Sequence, residues 1–381
     1  MTDLAVTARE GVAALSRGDP AAARTAFDAV VAAGRATPQL WLLLAQANFE
    51  LDDRGQAHAA LDTLLALDRA NLDGMVMRGE LLDRDGDTRA ATTWYEAALR
   101  TADGVGGLAP ITVAALDRAK AARDAAAHRF DAHLRSELTV AGVDASTVHP
   151  RFAEALAITT GAAAPYPQAP TNFYYPRLPA IPFYDPADFA WAAAAVAAQA
   201  PAMRAEVEAV IAAQSGLAPY VEAPENRPSK EHSLLGDARW SAYHLWKNGE
   251  PVPAHQAACP RTVAAVESAP IPRIPGRSPM ALFSILAGGT HIPPHNGMLN
   301  TRLIVHIPLI VPPGCRLRVG NEVRDVEAGV PLIFDDSIEH EAWNDSDQPR
   351  AILLFEIWRP ELTAGERTAL TAMFGAVSSY A

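Results

Sequence analysis

The feature that most limits how this chain can fold is a spacing. Ala23, Ala57 and Ala91 fall 34 residues apart, as do Phe27, Leu61 and Tyr95, and Val30, Leu64 and Ala98. The turn positions Gly18, Asp52 and Gly86 keep the same register, and so does a large apolar pair, Trp41 and Met75. A small residue, a bulky one a turn later and a turn in each period describe a helix hairpin whose small residues let two helices touch. One hairpin cannot bury its apolar face alone, so three must stack, over about residues 4 to 105. The stretch 111–135, with Leu116, Ala119, Ala122 and Ala126 on one side, reads as a helix capping the stack. A generic Ala-rich bundle would share the composition without the period.

Past residue 160 the pattern changes. Of the 30 prolines only Pro20, Pro38, Pro110 and Pro150 precede residue 165. Proline ends helices and confines strands to short, edge-limited pieces. Two domains follow, a helical one over 1–150 and a β-rich one over 165–381, with GAAAPYPQAPTNFYYP (161–176) as linker. Within the second, 281–287, 301–311, 315–320, 330–335 and 351–358 read as short strands, and 187–214 as a helix packed outside their sheet. Short strands at close spacing suggest a barrel or jelly roll. The first domain's period resembles that of tetratricopeptide repeats, although only Trp41 supplies that family's tryptophan. Such a stack implies a surface that docks a peptide or protein.

Charge narrows the partners. Lys and Arg number 32 against 44 Asp and Glu, a net charge of −12 with pI near 5.4. That argues against nucleic acid and against anionic lipid as partners. No apolar run approaches the roughly 18 residues of a membrane span. The start, MTDLAVTAREG, lacks the n- and h-regions of a secretory signal, so a cytoplasmic location is expected. Two cysteines, Cys259 and Cys315, cannot build a disulfide framework or a four-cysteine zinc site.

Chemistry-bearing residues gather in the second domain. His295 lies in THIPPHNGMLN, read as a loop between strands, and His340 follows VPLIFDD 45 residues later. Two imidazoles at a barrel mouth suit iron, zinc or copper, whereas the same two in loops can be purely structural. The usual facial triad adds a carboxylate two residues after the first histidine, where this chain has Gly297. Arg350 comes ten residues after His340, so a hairpin with the tip NDSDQP would return its guanidinium to the pair, where it could grip a dicarboxylate. Alternation puts Arg302, Ile304 and His306 on one strand face, either lining an oxoacid pocket or solvated.

The run PPHNGMLNTRLIVHIPLIVPPGCRLRVGNE, followed by FDDSIEHEAWND, Arg350 and IWRPEL, resembles the aspartyl/asparaginyl β-hydroxylases. WSAYHLWKNG (240–249) and, more weakly, YPRLPAIPFYD (175–185) extend the resemblance to about residues 170–365. It implies a double-stranded β-helix (jelly-roll) oxygenase domain with flanking helices, behind an all-α tetratricopeptide-repeat stack. It implies Fe(II), 2-oxoglutarate and O2, with hydroxylation of the β-carbon of aspartyl or asparaginyl residues in a peptide or protein. Carried over by position, His295 and His340 match the iron ligands, and Asp336 an acid near iron-bound water. Arg350 matches the anchor of the distal 2-oxoglutarate carboxylate, and Ser284 a hydroxyl assisting it. His306 matches a residue near the proximal carboxylate, and Trp240 and Ser241 a pair lining the pocket. The family itself lacks the triad carboxylate, which accounts for Gly297. Its usual arginine two residues before His306 is Ile304 here, leaving Arg302 to take part of that role. The rival readings are the same chemistry on a free amino acid or lipid acyl chain, a non-catalytic repeat scaffold, and a metal-binding cupin.

Overall fold

The computed structural model describes residues 4–144, 147–223 and 233–380, with backbone alone for 193–198. The chain divides into two compact units, Met1–Ala163 and Ala164–Ala381.

The first unit stacks antiparallel helix pairs. They are α1 (Leu4–Ser16) with α2 (Pro20–Ala32), α3 (Pro38–Glu50) with α4 (Arg54–Leu67), and α5 (Leu72–Arg84) with α6 (Thr88–Ala102). Ala23, Ala57 and Ala91 are fully buried, as are the aromatic or leucine side chains a turn later. The closeness of approach explains the small residues: a Cβ added at Gly11 would lie 2.5 Å from the Phe27 ring, and one at Gly79 2.4 Å from Tyr95. Gly18, Asp52 and Gly86 all take positive φ, 77°, 55° and 84°, so the inter-helix turn needs the left-handed conformation in every copy. The next residue in each copy, Asp19, Asp53 and Asp87, caps the second helix by accepting from the amide three residues on. These caps keep the 34-residue register. The capping helix α7 (Pro110–Val140) is longer than 111–135, and it buries Thr112, Ala115 and Ala119 against the last pair. Helix α8 (Pro150–Thr159) belongs to this unit, so the unit ends beyond residue 150.

The second unit is a two-sheet β structure. Its strands are β1 (Phe183–Tyr184), β2 (Ala218–Pro219), β3 (Trp240–Lys247), β4 (Glu250–Pro251), β5 (Ala281–Leu286), β6 (Thr290–His295), β7 (Arg302–Ile310), β8 (Cys315–Val319), β9 (Glu322–Asp325), β10 (Leu332–Phe334), β11 (His340–Asn344) and β12 (Arg350–Trp358). The larger sheet runs β1-β10-β7-β12-β5-β3-β2 with β4 on β3, and the smaller runs β6-β11-β8-β9. All pairings between these strands are antiparallel, and the sheets enclose a core of Leu282, Leu286, Leu317, Phe334 and Leu354 among others, as expected for a jelly roll. The outer face of the larger sheet is covered by α9 (Ala190–Ala213) and α11 (Pro260–Glu267), which follows the short α10 (Pro253–Ala258); Met203, Val207 and Val266 pack there against Phe283, Val305 and Leu353. A last helix, α12 (Ala364–Ser379), closes a satellite core around Trp358 and Phe374.

Two expectations are corrected. THIPPH is a strand, not a loop: it is the edge strand β6, paired on one side only, which is where two prolines are tolerated. The segment from His340 to Arg350 is not a hairpin, because β11 and β12 lie in different sheets. The connection is a crossover held by Asn344, whose amide donates to the carbonyls of Leu286, Ala287 and Gln348 at 3.0, 3.2 and 2.8 Å. Arg350 reaches the inner face because β12 begins where that crossover lands.

Candidate active site between the two sheets

A cavity of about 380 Å³ opens between the sheets, and His295, His340, Asp336, Arg302, His306 and Arg350 all line it. Their convergence rests on strand register. His295 pairs directly with His340, but the next pair toward the strand start is Ile292 with Ala342. Two residues of β6, Pro293 and Pro294, therefore stand opposite Glu341 alone, a β-bulge. Ile292 faces the core, and strict alternation would turn His295 outward. The extra residue turns it inward beside His340, with ring centroids 4.1 Å apart.

Each imidazole is oriented by the carbonyl two residues earlier. His295 Nδ1 donates to Pro293 at 2.8 Å and His340 Nδ1 to Ile338 at 3.1 Å. With the proton on Nδ1, Nε2 is the basic nitrogen, the form in which imidazole binds a metal. Burial, reinforced by the nearby His295, pushes His340 down to about 3, so it is neutral at physiological pH. Among the described residues no third His, Cys, Asp or Glu joins the pair in a metal-holding group.

Gly297 carries the clearest imprint of a carboxylate. A Cβ built there would lie 2.0 Å from Asp336 Oδ2. The acid thus fills the space beside the position where a facial triad places its own, having arrived from the end of β10. Asp336 is 5% exposed, and Arg302 Nη2 donates to its Oδ2 at 3.1 Å. Burial raises its carboxyl to about 6 against the opposing pull of Arg302.

On the larger sheet, alternation along β12 puts Arg350, Ile352, Leu354 and Glu356 inward, and along β7 Arg302, Ile304 and His306. Arg350 is 1% exposed and makes neither an ion pair nor a side-chain hydrogen bond among the described residues; its Nε is orphaned. Burial without an acid lowers it to about 10. His306 is held well below its usual range by burial and by the Arg350 charge, so it is a neutral hydrogen-bonding group. Ser284 Oγ accepts from Trp240 Nε1 at 3.0 Å, and the indole stacks on Tyr220 at 3.9 Å. Trp240 lines the cavity, whereas its strand neighbour Ser241 alternates to the opposite face and is not on the wall. Arg302 differs from Arg350 in being compensated, by Asp336 and by Glu356 at 2.9 Å.

Glu356 and Tyr220 were missed by sequence reasoning. Glu356 had a signal, since it is the lone charge in the apolar run AILLFEIW and shares the parity of Arg350. Tyr220 had none, lying in an unpatterned stretch before β3.

Residues 197–360 match the family model described as aspartyl/asparaginyl beta-hydroxylase. An ornithine lipid ester-linked acyl 2-hydroxylase of Rhizobium tropici is 38% identical over 192 residues, covering 50% of this chain and 64% of that protein. The aspartyl/asparaginyl beta-hydroxylase of Mus musculus is 38% identical over 146 residues, 38% of this chain and 19% of that protein. Aspartate beta-hydroxylase domain-containing protein 2 of Homo sapiens is 35% identical over 140 residues, 35% of this chain and 37% of that protein. The chain spans less than two thirds of the length of each of these relatives. The matched span contains both histidines, Asp336 and Arg350, so the resemblance read from PHNG, NTRL, FDDS and EHEAW holds for this domain.

Proposed function

We propose, from the match of residues 197–360 to the aspartyl/asparaginyl beta-hydroxylase model, that the protein is an Fe(II)- and 2-oxoglutarate-dependent dioxygenase. Its substrate on this reading is an aspartyl or asparaginyl residue of a polypeptide, hydroxylated at the β-carbon and docked by the helical repeats. The observation that carries it is Arg350, a fully buried guanidinium without a carboxylate, in the same cavity as an inward-turned histidine pair. An uncompensated buried cation is costly unless an anion arrives to meet it.

The residues present fit the group the family implies. Two Nε2-basic imidazoles suit a divalent iron, and the Asp336 carboxylate packed on Gly297 supplies negative charge beside it. Bound iron, 2-oxoglutarate and O2 would supply the oxidising chemistry, converting a C–H to C–OH with release of succinate and CO2. The protein's own part is to bind, orient and exclude water. Arg350 would hold the distal carboxylate, with Ser284 on the same cavity wall. His306, neutral and buried, would offer the oxoacid a hydrogen bond. Trp240 pins Ser284 and shields it, and Arg302 fixes the Asp336 carboxylate. The Rhizobium relative's name favours a second reading, the same chemistry on an ester-linked acyl chain.

The setting proposed is cytoplasmic. No helix of the described residues is long and apolar enough to cross a membrane, and Cys259 and Cys315 are both buried thiols, compatible with a reducing compartment.

Anaerobic addition of Fe(II) and then 2-oxoglutarate is expected to give a weak visible charge-transfer band. Its absence with binding-competent protein would sink the reading. His295→Ala and His340→Ala are each expected to abolish the band and the turnover with little change in thermal unfolding, because both rings line the cavity. A fragment starting at Ala164 should fold, bind iron and convert 2-oxoglutarate without substrate, while capturing polypeptide more weakly than the full chain. Equal capture by both would remove the docking role of the repeats.

A further inference from the structure

Three arginines stand on the cavity wall, and two of them already have a place. Arg302 is compensated by Asp336 and Glu356, and Arg350 awaits the oxoacid. Arg277 is the third. Its Nε is buried without a partner, and its guanidinium makes neither an ion pair nor a side-chain hydrogen bond among the described residues. The acids that share the wall are engaged elsewhere. Glu356 holds Arg302 and accepts from the Met280 amide at 3.1 Å, Asp336 holds Arg302, and Glu341 binds Arg318 and His291.

Packing, not charge, holds Arg277 in place. It sits in a tight loop in which Ile274 and Ser278 exchange both backbone hydrogen bonds, at 2.8 and 2.9 Å. The loop rests on α12. A Cβ at Gly276 would lie 3.3 Å from the Ser378 side chain, and the Arg277 guanidinium lies 4.7 Å over the buried Phe374 ring. A ring covers one face of a guanidinium and leaves its edge N–H groups free to donate. The unspent Nε makes this arrangement costly as it stands, and an anion at the partly exposed edge would offset that cost.

Strand register says whose anion that is. In β5, Leu286 pairs with Arg350 and Ala281 with Phe355. Arg350 thus stands at one end of the sheet wall, and Arg277, four residues before Ala281, lies beyond the other. The strand between spans roughly 17 Å, far longer than a five-carbon diacid. An oxoacid gripped by Arg350 therefore cannot also reach Arg277. The histidine pair belongs to the Arg350 end, since the His295 ring lies 6.3 Å from that of Trp240, which pairs with Leu286. Much of the strand's length is left between a carbon oxidised at that pair and Arg277, so the anion belongs to a different residue of the substrate. Asn248 and Asn296 share the wall near the β3–β4 turn and the end of β6. Their carboxamides both donate and accept, which matches peptide groups and offers an acyl chain nothing. We propose, resting on the dioxygenase reading, that Arg277 is a specificity-determining residue that receives an acidic side chain flanking the hydroxylated residue of the polypeptide.

The test uses three dodecapeptide pools with an equal Asn/Asp mixture at the centre. Each has one Glu, Gln or Lys distributed over the flanking positions and no other charged residue. The pools are passed over the immobilised full chain loaded with Zn(II) and N-oxalylglycine, so binding is read without turnover. The Glu pool should be retained about tenfold more than the Gln pool, a difference of about 1.4 kcal/mol, modest because the cation is partly exposed. Arg277→Met, which keeps an apolar stem on Phe374, should erase that difference, and Arg277→Lys should keep part of it. Arg277→Glu should turn the preference to the Lys pool. Equal retention of the Glu and Gln pools by the parent protein would overturn the inference, as would a Glu preference that survives in Arg277→Met or Arg277→Glu. A purely structural arginine would lower retention of all three pools together with Tm, and that result overturns it too. So does retention of no pool, including the case where micelles of ester-linked acyl lipid are retained instead. Calorimetry of 2-oxoglutarate with Mg(II) separates the two levels. No binding there strikes the dioxygenase reading and the inference with it, whereas normal binding with undiscriminated pools strikes the inference alone.

Discussion

Replacing Arg350 by methionine is expected to make the protein more stable and unable to use 2-oxoglutarate. The guanidinium is fully buried without an acid, and its pKa falls from 12.5 to about 10. A cation whose folded pKa lies below its unfolded value costs stability at every pH below the folded value. The cost fades only as pH climbs from about 10 toward 12.5. At neutral pH it is present in full, about 3 kcal/mol at 1.36 kcal/mol per unit. Methionine keeps most of the packing volume and removes the charge, so Tm should rise by roughly 6–12 °C for a unit of this size. The loss appears with the cosubstrate. Hydrogen bonds to charged groups are worth roughly 1.5–3 kcal/mol each, and two are lost, so the 2-oxoglutarate requirement should rise about 100-fold or more. Saturating 2-oxoglutarate should raise the Tm of the parent protein and leave that of the variant unmoved. Iron affinity without cosubstrate should not change. A variant that is less stable and still saturates normally would show that Arg350 serves the fold and not an anion.

The second large effect is expected at Gly297. Its φ imposes no demand for glycine; what forbids a side chain is the Asp336 carboxylate, 2.0 Å from where a Cβ would be. Gly297→Ala therefore forces Asp336 to release Arg302, which keeps Glu356 while the Asp336 carboxylate is left buried without its cation, and should cost about 3 kcal/mol of stability. Asp336→Ala in the same chain vacates the space. The double variant should be more stable than the sum of the single effects predicts, with a coupling of about 1–3 kcal/mol in denaturant unfolding. Additive effects would show that the two positions do not share that space. Gly297→Asp with Asp336→Gly goes further, moving the carboxylate to the place it holds in a facial triad, and is expected to keep iron binding where Gly297→Asp alone loses it.

The parts of this molecule that repeat were legible in the sequence, because a period survives noise in the individual letters. Ala23, Ala57 and Ala91 located three hairpins, whereas the helix caps Asp19, Asp53 and Asp87, in the same register, went unread. The inner face of β7 was legible too, since Arg302 and His306 in an apolar strand need a reason. What escaped was anything decided by pairing. Pro293 and Pro294 argued against a strand, and only an edge position in the smaller sheet overrides them. Arg350 arrives by a crossover between sheets that looks, in one dimension, like a hairpin. That Arg302 is shared by Asp336 and Glu356 depends on the distances between β7, β10 and β12, which no spacing along the chain reveals.

The bulge in β6 ties the histidine pair to a count and not to an identity. His295 looks inward because one residue too many lies between it and Ile292, so removing either proline would leave every functional side chain in place by name and point one of them at solvent. The lesion would be silent to any inspection that checks which residues are present. Conversely, a sheet of this kind could gain or lose its metal through a single inserted or deleted codon at an edge, without disturbing the interior. Edge strands tolerate such changes because only one neighbour must adjust. Metal binding would then be among the cheapest properties for this architecture to acquire and among the easiest to lose, while the barrel itself persists.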